Sequence, residues 1–341
     1  MTEGPPARPG PPTRLRLATH PRAVEFLRRR ARGLAALRAQ LDGDGFLEAD
    51  VPPLLPHAGQ EPWLEAPVAA VSGLPGPLHL QTSPELALKR LLCAGAERLY
   101  HLGPAFRGGR EELGPLHQPA FTMLEWYEPG TALDLLAQRC RALGRAAAEA
   151  LGVAPPADGE VLDLDTAFRR WAGVSLAPLL DGDRARFVAE GRAAGLGLRD
   201  DDPVANLVGR VLVERVEPAL AGVEGWVFLH GYPAELAALA RLDPADPRVA
   251  LRMEAYLGGV ELANGYVELG DADEQARRWD AEAAERDGPA PPRDEGLLEA
   301  LRTEGLPDCV GMALGVDRLF AALLGVTGLD EVLPLALRLE D

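Results

Sequence analysis

Cysteine is scarce in this chain. Cys93, Cys140 and Cys309 stand far apart among 341 residues, with no CxxC and no His/Cys spacing of the metal-ligand kind. A zinc site is therefore not expected, and a reducing cytoplasm fits. Basic charge is also short: 35 Lys and Arg face 52 Asp and Glu, for a net charge of −17. That balance disfavours broad binding to a phosphate backbone, which relies on clustered Lys and Arg. Arg28, Arg29, Arg30 and Arg32 do cluster, but on one predicted helix, where they read as a solvated face. No run of about 18 apolar residues occurs, so no transmembrane helix is predicted. The opening MTEGPPARPGPPT lacks the apolar segment of a signal peptide. Residues 1–15 read instead as a disordered tail rich in Pro and Gly.

What is present is the composition of a folded protein, 47% hydrophobic and broken by charge throughout. The length exceeds what one core usually fills, so a large domain carrying an insertion, or two domains, is expected. His20-Pro21 opens a helix on which Phe26, Leu27, Ala31, Leu34, Leu37 and Leu41 form one apolar stripe, stopped by Gly43 and Gly45. Phe46–Val51 reads as a strand ended by Pro52-Pro53, and a second strand lies near Leu78–Leu80. Thr82-Ser83-Pro84-Glu85 then starts a helix with Leu86, Leu88, Leu91 and Leu92 inward. Arg98–Phe106 and Phe121–Tyr127 read as antiparallel strands joined by a Gly-rich charged loop. Residues 131–151 form an Ala/Leu helix, residues 160–250 a mostly helical stretch with a strand at Trp226–His230, and Leu297–Thr303 a further helix. Hairpins mixed with helices indicate an α+β fold, an antiparallel sheet flanked by helices.

Three stretches carry candidate chemistry. Strand periodicity puts Phe121, Met123, Glu125 and Tyr127 on one face, with Thr122, Leu124 and Trp126 on the other. A Glu among apolar neighbours needs a donor or cation, and Arg107 is placed to supply it, either as a structural pair or within a site. Around Gly258-Gly259, a two-residue turn pairs Tyr256 with Glu261 and Ala255 with Leu262, bringing Glu254 and Glu261 to one face. Two such carboxylates suit Mg²⁺, a hard cation. An Asn264-Gly265 turn would redirect Glu268 into the same cavity. From the residues alone, exposed carboxylates on an acidic surface are the simpler reading of this pattern, with the metal site as the alternative. The run Gly311 to Arg318 (GMALGVDR) is neither a Walker A loop nor a GxGxxG fingerprint. Its small residues at 311, 313 and 315 permit close backbone approach to a ligand, and Arg318 could hold a terminal phosphate.

In order along the chain, these segments resemble the signature motifs of class II aminoacyl-tRNA synthetases, and the lysyl branch in particular. FLEADVPPL is similar to motif 1, AFRGGREELGPLHQPAFTMLEWY to motif 2 and GMALGVDRLF to motif 3. TSPELALKRLL and GGVELANGYVELGDADEQARRW are similar to lysine-pocket segments of that branch. The resemblance spans residues 20–335 and implies a class II catalytic domain over 16–341, with a mostly helical insertion at about 155–225. Two features point to the stand-alone paralogues of the branch, which attach (R)-β-lysine to a lysine of translation elongation factor P. Motif 1 begins near residue 46, leaving no room ahead of it for an anticodon-binding OB barrel of on the order of 100 residues. In motif 3, Ala313 replaces the glycine expected of lysyl-tRNA synthetases. A truncated enzyme charging tRNA with lysine and a non-catalytic regulatory paralogue are the alternatives.

The resemblance implies ATP and Mg²⁺ as cofactors and an aminoacyl-adenylate intermediate. Arg107 and Arg318 would be catalytic, with Arg107 on the α-phosphate and the substrate carboxylate. Phe121 would stack on adenine, His117 and Arg318 would hold the outer phosphates, and Glu111 or Glu112 would contact adenine. Gln118, Glu261, Leu262 and Gly315 complete the implied ATP site, and Glu254 with Glu261 would carry the metal. For β-lysine, Ser83, Pro84 and Glu85 would bind the amino group nearer the carboxylate. Asn264 would bind the carboxylate itself, and Tyr127 and Glu268 the terminal ammonium, with Ala313 on the pocket floor. The implied partners are elongation factor P and a second copy of the chain, without tRNA or membrane. Two departures stand out: the motif 2 loop is longer than usual, and Ala120 in HQPAF occupies a position where the family commonly has Glu.

Overall fold

The computed structural model describes residues 14–109, 112–286 and 288–340. The predicted tail up to residue 13, and Glu111, lie outside these residues. The chain opens with β1 (Arg14–Thr19), α1 (Ala23–Gly43), β2 (Leu47–Glu48), β3 (Leu54–Leu55), β4 (Val68–Ala69) and β5 (Leu78–Leu80). It continues with α2 (Glu85–Cys93), β6 (Leu99–Phe106), β7 (Ala120–Pro129), α3 (Asp134–Leu151) and β8 (Glu160–Asp163). A helical stretch follows: α4 (Leu164–Trp171), α5 (Ala177–Leu180), α6 (Arg184–Ala193), α7 (Val204–Val211) and α8 (Glu217–Leu220). The remainder is β9 (Trp226–Pro233), β10 (Val249–Leu257), β11 (Val260–Val267), α9 (Ala272–Glu285), α10 (Glu295–Thr303), β12 (Cys309–Gly315), α11 (Val316–Leu324) and β13 (Leu335–Glu340).

Among the described residues, eight strands form the main sheet in the order β2-β6-β7-β12-β11-β10-β9-β8. Its six inner strands pair antiparallel, and only the short edge strands β2 and β8 run parallel to their neighbours. The α+β expectation of an antiparallel sheet flanked by helices is met. Side-chain alternation explains how the sheet divides. Leu124 and Trp126 of β7 enter a core with Leu136, Cys140, Leu143 and Ala147 of α3, while Phe121, Met123, Glu125 and Tyr127 face a cavity on the other side. Glycines bring helices into close contact with this core. A Cβ on Gly144 would lie 2.6 Å from the Trp226 ring, and one on Gly33 of α1 would lie 2.5 Å from Phe320 of α11.

Several expectations need correction. The Phe46–Val51 strand is only Leu47–Glu48. Arg14 and Leu15, assigned to the tail, are in β1, which pairs antiparallel with β13. The stripe on α1 is narrower than its spacing indicates, since Phe26, Leu37 and Leu41 are buried but Leu27 is 56% exposed. On α2, Leu91 likewise points outward. The expected solvated arginines include one that is not: Arg30 pairs with buried Asp317 of α11 and donates to Thr122 Oγ1. Asp317 also accepts the Thr122 backbone N–H at 2.9 Å, so α1, β7 and α11 meet at one buried charge. The strand β8 was not anticipated at all; the helices after it share a core with Val227, Leu229 and Tyr232 of β9.

Candidate active site

The hairpin β10–β11 turns at Gly258 and Gly259, both at positive φ, where glycine carries no steric penalty. Tyr256 faces Glu261 as the turn predicts, but a bulge between Ala255 and Tyr256 then pairs Ala255 with Ala263 rather than Leu262. The bulge sets Glu254 opposite Asn264 and so separates the roles of two carboxylates. Asn264-Gly265 is not a turn; both residues lie within β11. Gly265 is required by close packing, because a Cβ there would lie 2.6 Å from the Gly311 carbonyl oxygen. Glu268 therefore reaches the cavity from the end of a regular strand.

The cavity has a volume of about 340 Å³ and runs along the strands β7, β12 and β11. Ala313 sits on its floor, registered between Glu125 of β7 and Asn264 of β11. One end gathers Arg107, Glu112, His117, Phe121, Glu261, Leu262, Gly315 and Arg318. The other gathers Ser83, Glu85, Tyr127, Asn264 and Glu268. Glu112 lines the cavity, while Glu111 lies outside the described residues. Pro84 is at the N-cap of α2 and does not line the cavity. Gln118 does, but its amide is spent on β13, accepting from Leu337 N at 2.8 Å and donating to Leu337 O at 3.2 Å.

At the first end, Arg318 reaches the Leu116 and Glu261 carbonyls, both at 3.1 Å, and His117 Nε2 at 2.6 Å. Burial, together with Arg318 and Arg107, holds His117 below its ordinary pKa, so it is neutral and accepts from the guanidinium. Arg107 lies 5.3 Å from the Phe121 ring centroid, and its buried Nε has no hydrogen-bond partner. It does not pair with Glu125, so the structural Arg–Glu pair is absent. A half-committed guanidinium beside an aromatic face suits a phosphate and a base.

The carboxylates behave differently from one another. Glu254 is buried and held by three donors: Oε2 accepts from Tyr232 OH at 2.5 Å and Tyr256 OH at 2.6 Å, and Oε1 from Arg252 at 2.5 Å. It stands behind the cavity wall. Glu261 lines the cavity, and burial with the nearby Glu254 pushes it up to about 7, against the pull of Arg318 and Arg252. The described residues contain no cluster of three or more potential metal ligands. The donor set fits a cation held by one or two carboxylates and substrate phosphates, as Mg²⁺ usually is. Glu261 would be the main protein ligand, with the remaining lone pair of Glu254 Oε1 behind it.

At the second end an unanticipated cation appears. Lys89, on the buried face of α2, places Nζ 2.7 Å from Glu85 and 2.6 Å from Glu268. Burial opposes its charge, yet Glu268 and Glu85 together raise the ammonium above its ordinary pKa. Glu268 itself is pushed by burial to about 7 despite Lys89. Glu125, expected beside Arg107, instead accepts from Ser83 Oγ at 2.6 Å and Tyr127 OH at 2.7 Å. Burial and Glu85 push it to about 8, so it is protonated at neutral pH. A signal for Lys89 exists in the sequence. It lies four residues after Glu85, next to Leu88 and in line with Leu92, and a Lys on an apolar helix face needs a buried partner.

A sheet of this topology, with a phosphate-suited arginine pair at one end of its cavity and acids at the other, defines a class of protein. The chain belongs to the class II tRNA synthetases (D, K and N), whose family model matches residues 13–337. Within that class it is similar to elongation factor P–(R)-β-lysine ligases. That of Pectobacterium carotovorum (strain PC1) is 37% identical over 322 residues, covering 91% of this chain and 94% of the relative. That of Vibrio vulnificus (strain YJ016) is 38% identical over 332 residues, 91% and 95% of the two chains. The Photorhabdus laumondii protein of the same name is 35% identical over 324 residues, 91% and 94%.

Proposed function

We propose that this protein is an ATP-dependent ligase that activates (R)-β-lysine as an adenylate and transfers it to a lysine side chain of translation elongation factor P. The observation that carries the reading is one cavity with two chemically distinct ends, joined over Ala313. Attack of the substrate carboxylate on the α-phosphorus requires charge neutralisation more than acid–base chemistry. Arg107 would meet the α-phosphate and the carboxylate, and Phe121 the adenine. Arg318, braced by neutral His117, would hold the outer phosphates. Mg²⁺, held by Glu261 and Glu254, supplies further neutralisation of the phosphates when bound. Tyr127 and Glu268 would take the terminal ammonium, and Asn264 the carboxylate. A carboxylate oxygen then bonds to the α-phosphorus as the bond from that phosphorus to the bridging oxygen breaks, and pyrophosphate leaves with the electron pair. In the second step the acceptor amine attacks the acyl carbon and AMP departs.

The net charge of −17 and the methyl of Ala313 support a protein acceptor over tRNA. The helical stretch within residues 155–225 is read as an insertion in a single catalytic domain. Exposed Leu15 and Leu17 of β1 and Val24 and Leu27 of α1 support a homodimer through these two elements. No helix among the described residues is long and apolar enough to cross a membrane, and the cytoplasm is the proposed compartment. ATP–pyrophosphate exchange dependent on (R)-β-lysine tests the first step; no exchange with any lysine isomer overturns it.

A further inference from the structure

The second end of the cavity contains one more acid than the residues discussed so far account for. Glu61, on the loop between β3 and β4, lines the cavity beside Thr82, Ser83 and Glu85. Its Oε2 is buried and has no hydrogen-bond partner among the described residues, and no ion pair reaches its carboxylate. This is an ordered position. Arg286 donates to the Glu61 carbonyl at 2.6 Å and the Leu64 carbonyl at 3.1 Å, and Ala58 N donates to Pro292 O at 3.0 Å. Gly59 leaves the space the carboxylate fills, since a Cβ there would lie 2.3 Å from Oε2. Burial raises the Glu61 pKa. Its own backbone N–H opposes this, the nearby Glu85 adds to it, and Arg107 and Arg286 lower it. Glu61 thus stands within electrostatic reach of both Glu85 and Arg107, between the amino-group subsite and the α-phosphate subsite.

Charge balance indicates what Glu61 awaits. With Glu125 protonated, the acids here are Glu61, Glu85 and Glu268; Lys89 is shared by Glu85 and Glu268, while Arg107 and Arg286 act on Glu61 only at a distance. These ion pairs leave Glu61 without a direct counter-charge, and a diamino acid brings two ammonium groups. Glu268 has Tyr127 beside it for the terminal ammonium. Glu85 is already committed to Lys89, so the amino group nearer the carboxylate finds in Glu61 an acid that no ion pair reaches among the described residues. A buried carboxylate left without a partner is costly, and a substrate ammonium removes that cost.

We infer that Glu61 is a specificity-determining residue that binds the substrate amino group nearer the carboxylate, leaving Glu85 as the anchor of Lys89. This rests on the ligase reading of the same pocket. The test measures (R)-β-lysine binding by calorimetry without ATP, alongside pyrophosphate exchange, in the parent protein and in Glu61→Gln. The dissociation constant and KM are expected to rise about 10–100-fold, the range for losing a hydrogen bond to a charged group, with kcat changed less than about threefold. ε-Aminocaproic acid lacks the nearer amino group, and with it the two proteins should bind alike. β-Aminocaproic acid lacks the terminal one and should retain the full difference. Gly59→Ala, whose Cβ displaces Oε2, should reproduce the pattern even if Glu61→Gln fails to fold. Unchanged β-lysine binding overturns the inference, as does an equal penalty with both analogues. Normal binding with loss of transfer alone also overturns it and makes Glu61 a proton acceptor for the incoming amine. Binding without exchange in the parent defeats the ligase reading, and the analogue pattern still decides the role of Glu61. Absence of any binding defeats both.

Discussion

Lys89→Met removes the cation that Glu85 and Glu268 share at the substrate end while keeping an unbranched side chain. Nζ lies 2.7 Å from Glu85 and 2.6 Å from Glu268, and Lys89 and Glu268 are 2% and 1% exposed. The variant leaves two carboxylates facing each other in a buried pocket, and removing one partner of such a pair costs about 3–5 kcal/mol. For 341 residues at about 2.1 cal/mol/K each, the unfolding entropy is ~0.7 kcal/mol/K, so Tm should fall by about 4–7 °C. The loss depends on pH. Burial holds Glu268 at about 7, above its ordinary 4.5, so the folded state binds that proton more tightly. The resulting stabilisation is complete below pH 4.5 and is lost as pH rises through about 7. Lys89, whose own pKa is raised in the fold, stays charged throughout this range and limits the loss. Without it the Glu268 pKa climbs further, so the deficit relative to the parent should be largest at pH 8. At pH 5, with Glu268 protonated in both proteins, the deficit should shrink to about 1–2 kcal/mol. Urea denaturation at the two pH values measures it, and Lys89→Met/Glu268→Gln should recover part of the loss at pH 8. A deficit independent of pH, or larger at pH 5, refutes the reasoning.

Gly311→Ala should raise KM for the lysine-type substrate at least about tenfold in exchange assays, because the new Cβ would lie 2.3 Å from the Tyr127 ring and 2.4 Å from Glu268 Oε1. Arg30→Ala should destabilise by about 3–5 kcal/mol in denaturant titrations by stranding buried Asp317, whereas Arg28→Ala on the same helix should stay within about 0.5 kcal/mol. Ala313→Gly should raise activation of α-lysine relative to β-lysine by about 10-fold or more, the worth of a methyl in a pocket, and an unchanged isomer ratio in exchange counts against that role.

Local periodicity made much of this architecture legible. The alternation in β7 correctly separated Leu124 and Trp126 from Phe121, Met123, Glu125 and Tyr127, because one face of the strand is core and the other is cavity. The ordered motifs supplied residues that line both ends of the cavity. What sequence could not supply was pairing between distant segments. The bulge in β10 moved Glu254 behind the wall, where two tyrosines and Arg252 occupy it, and no local pattern distinguishes it from Glu261. Asn264-Gly265 has the composition of a turn, yet its glycine answers to the Gly311 carbonyl on the next strand. Arg30 looked solvated among Arg28, Arg29 and Arg32 because its partner Asp317 is 287 residues away. Lys89 was discernible from helix phase, while Glu61 sits in a loop without periodicity and is defined only by what lies around it.

The most direct test is transfer itself. Purified elongation factor P, incubated with this protein, ATP, Mg²⁺ and (R)-β-lysine, should gain the mass of one lysyl group on a lysine side chain, and none when ATP is omitted. An unmodified factor, together with lysine charged onto tRNA under the same conditions, would contradict the proposal and restore the tRNA-charging reading.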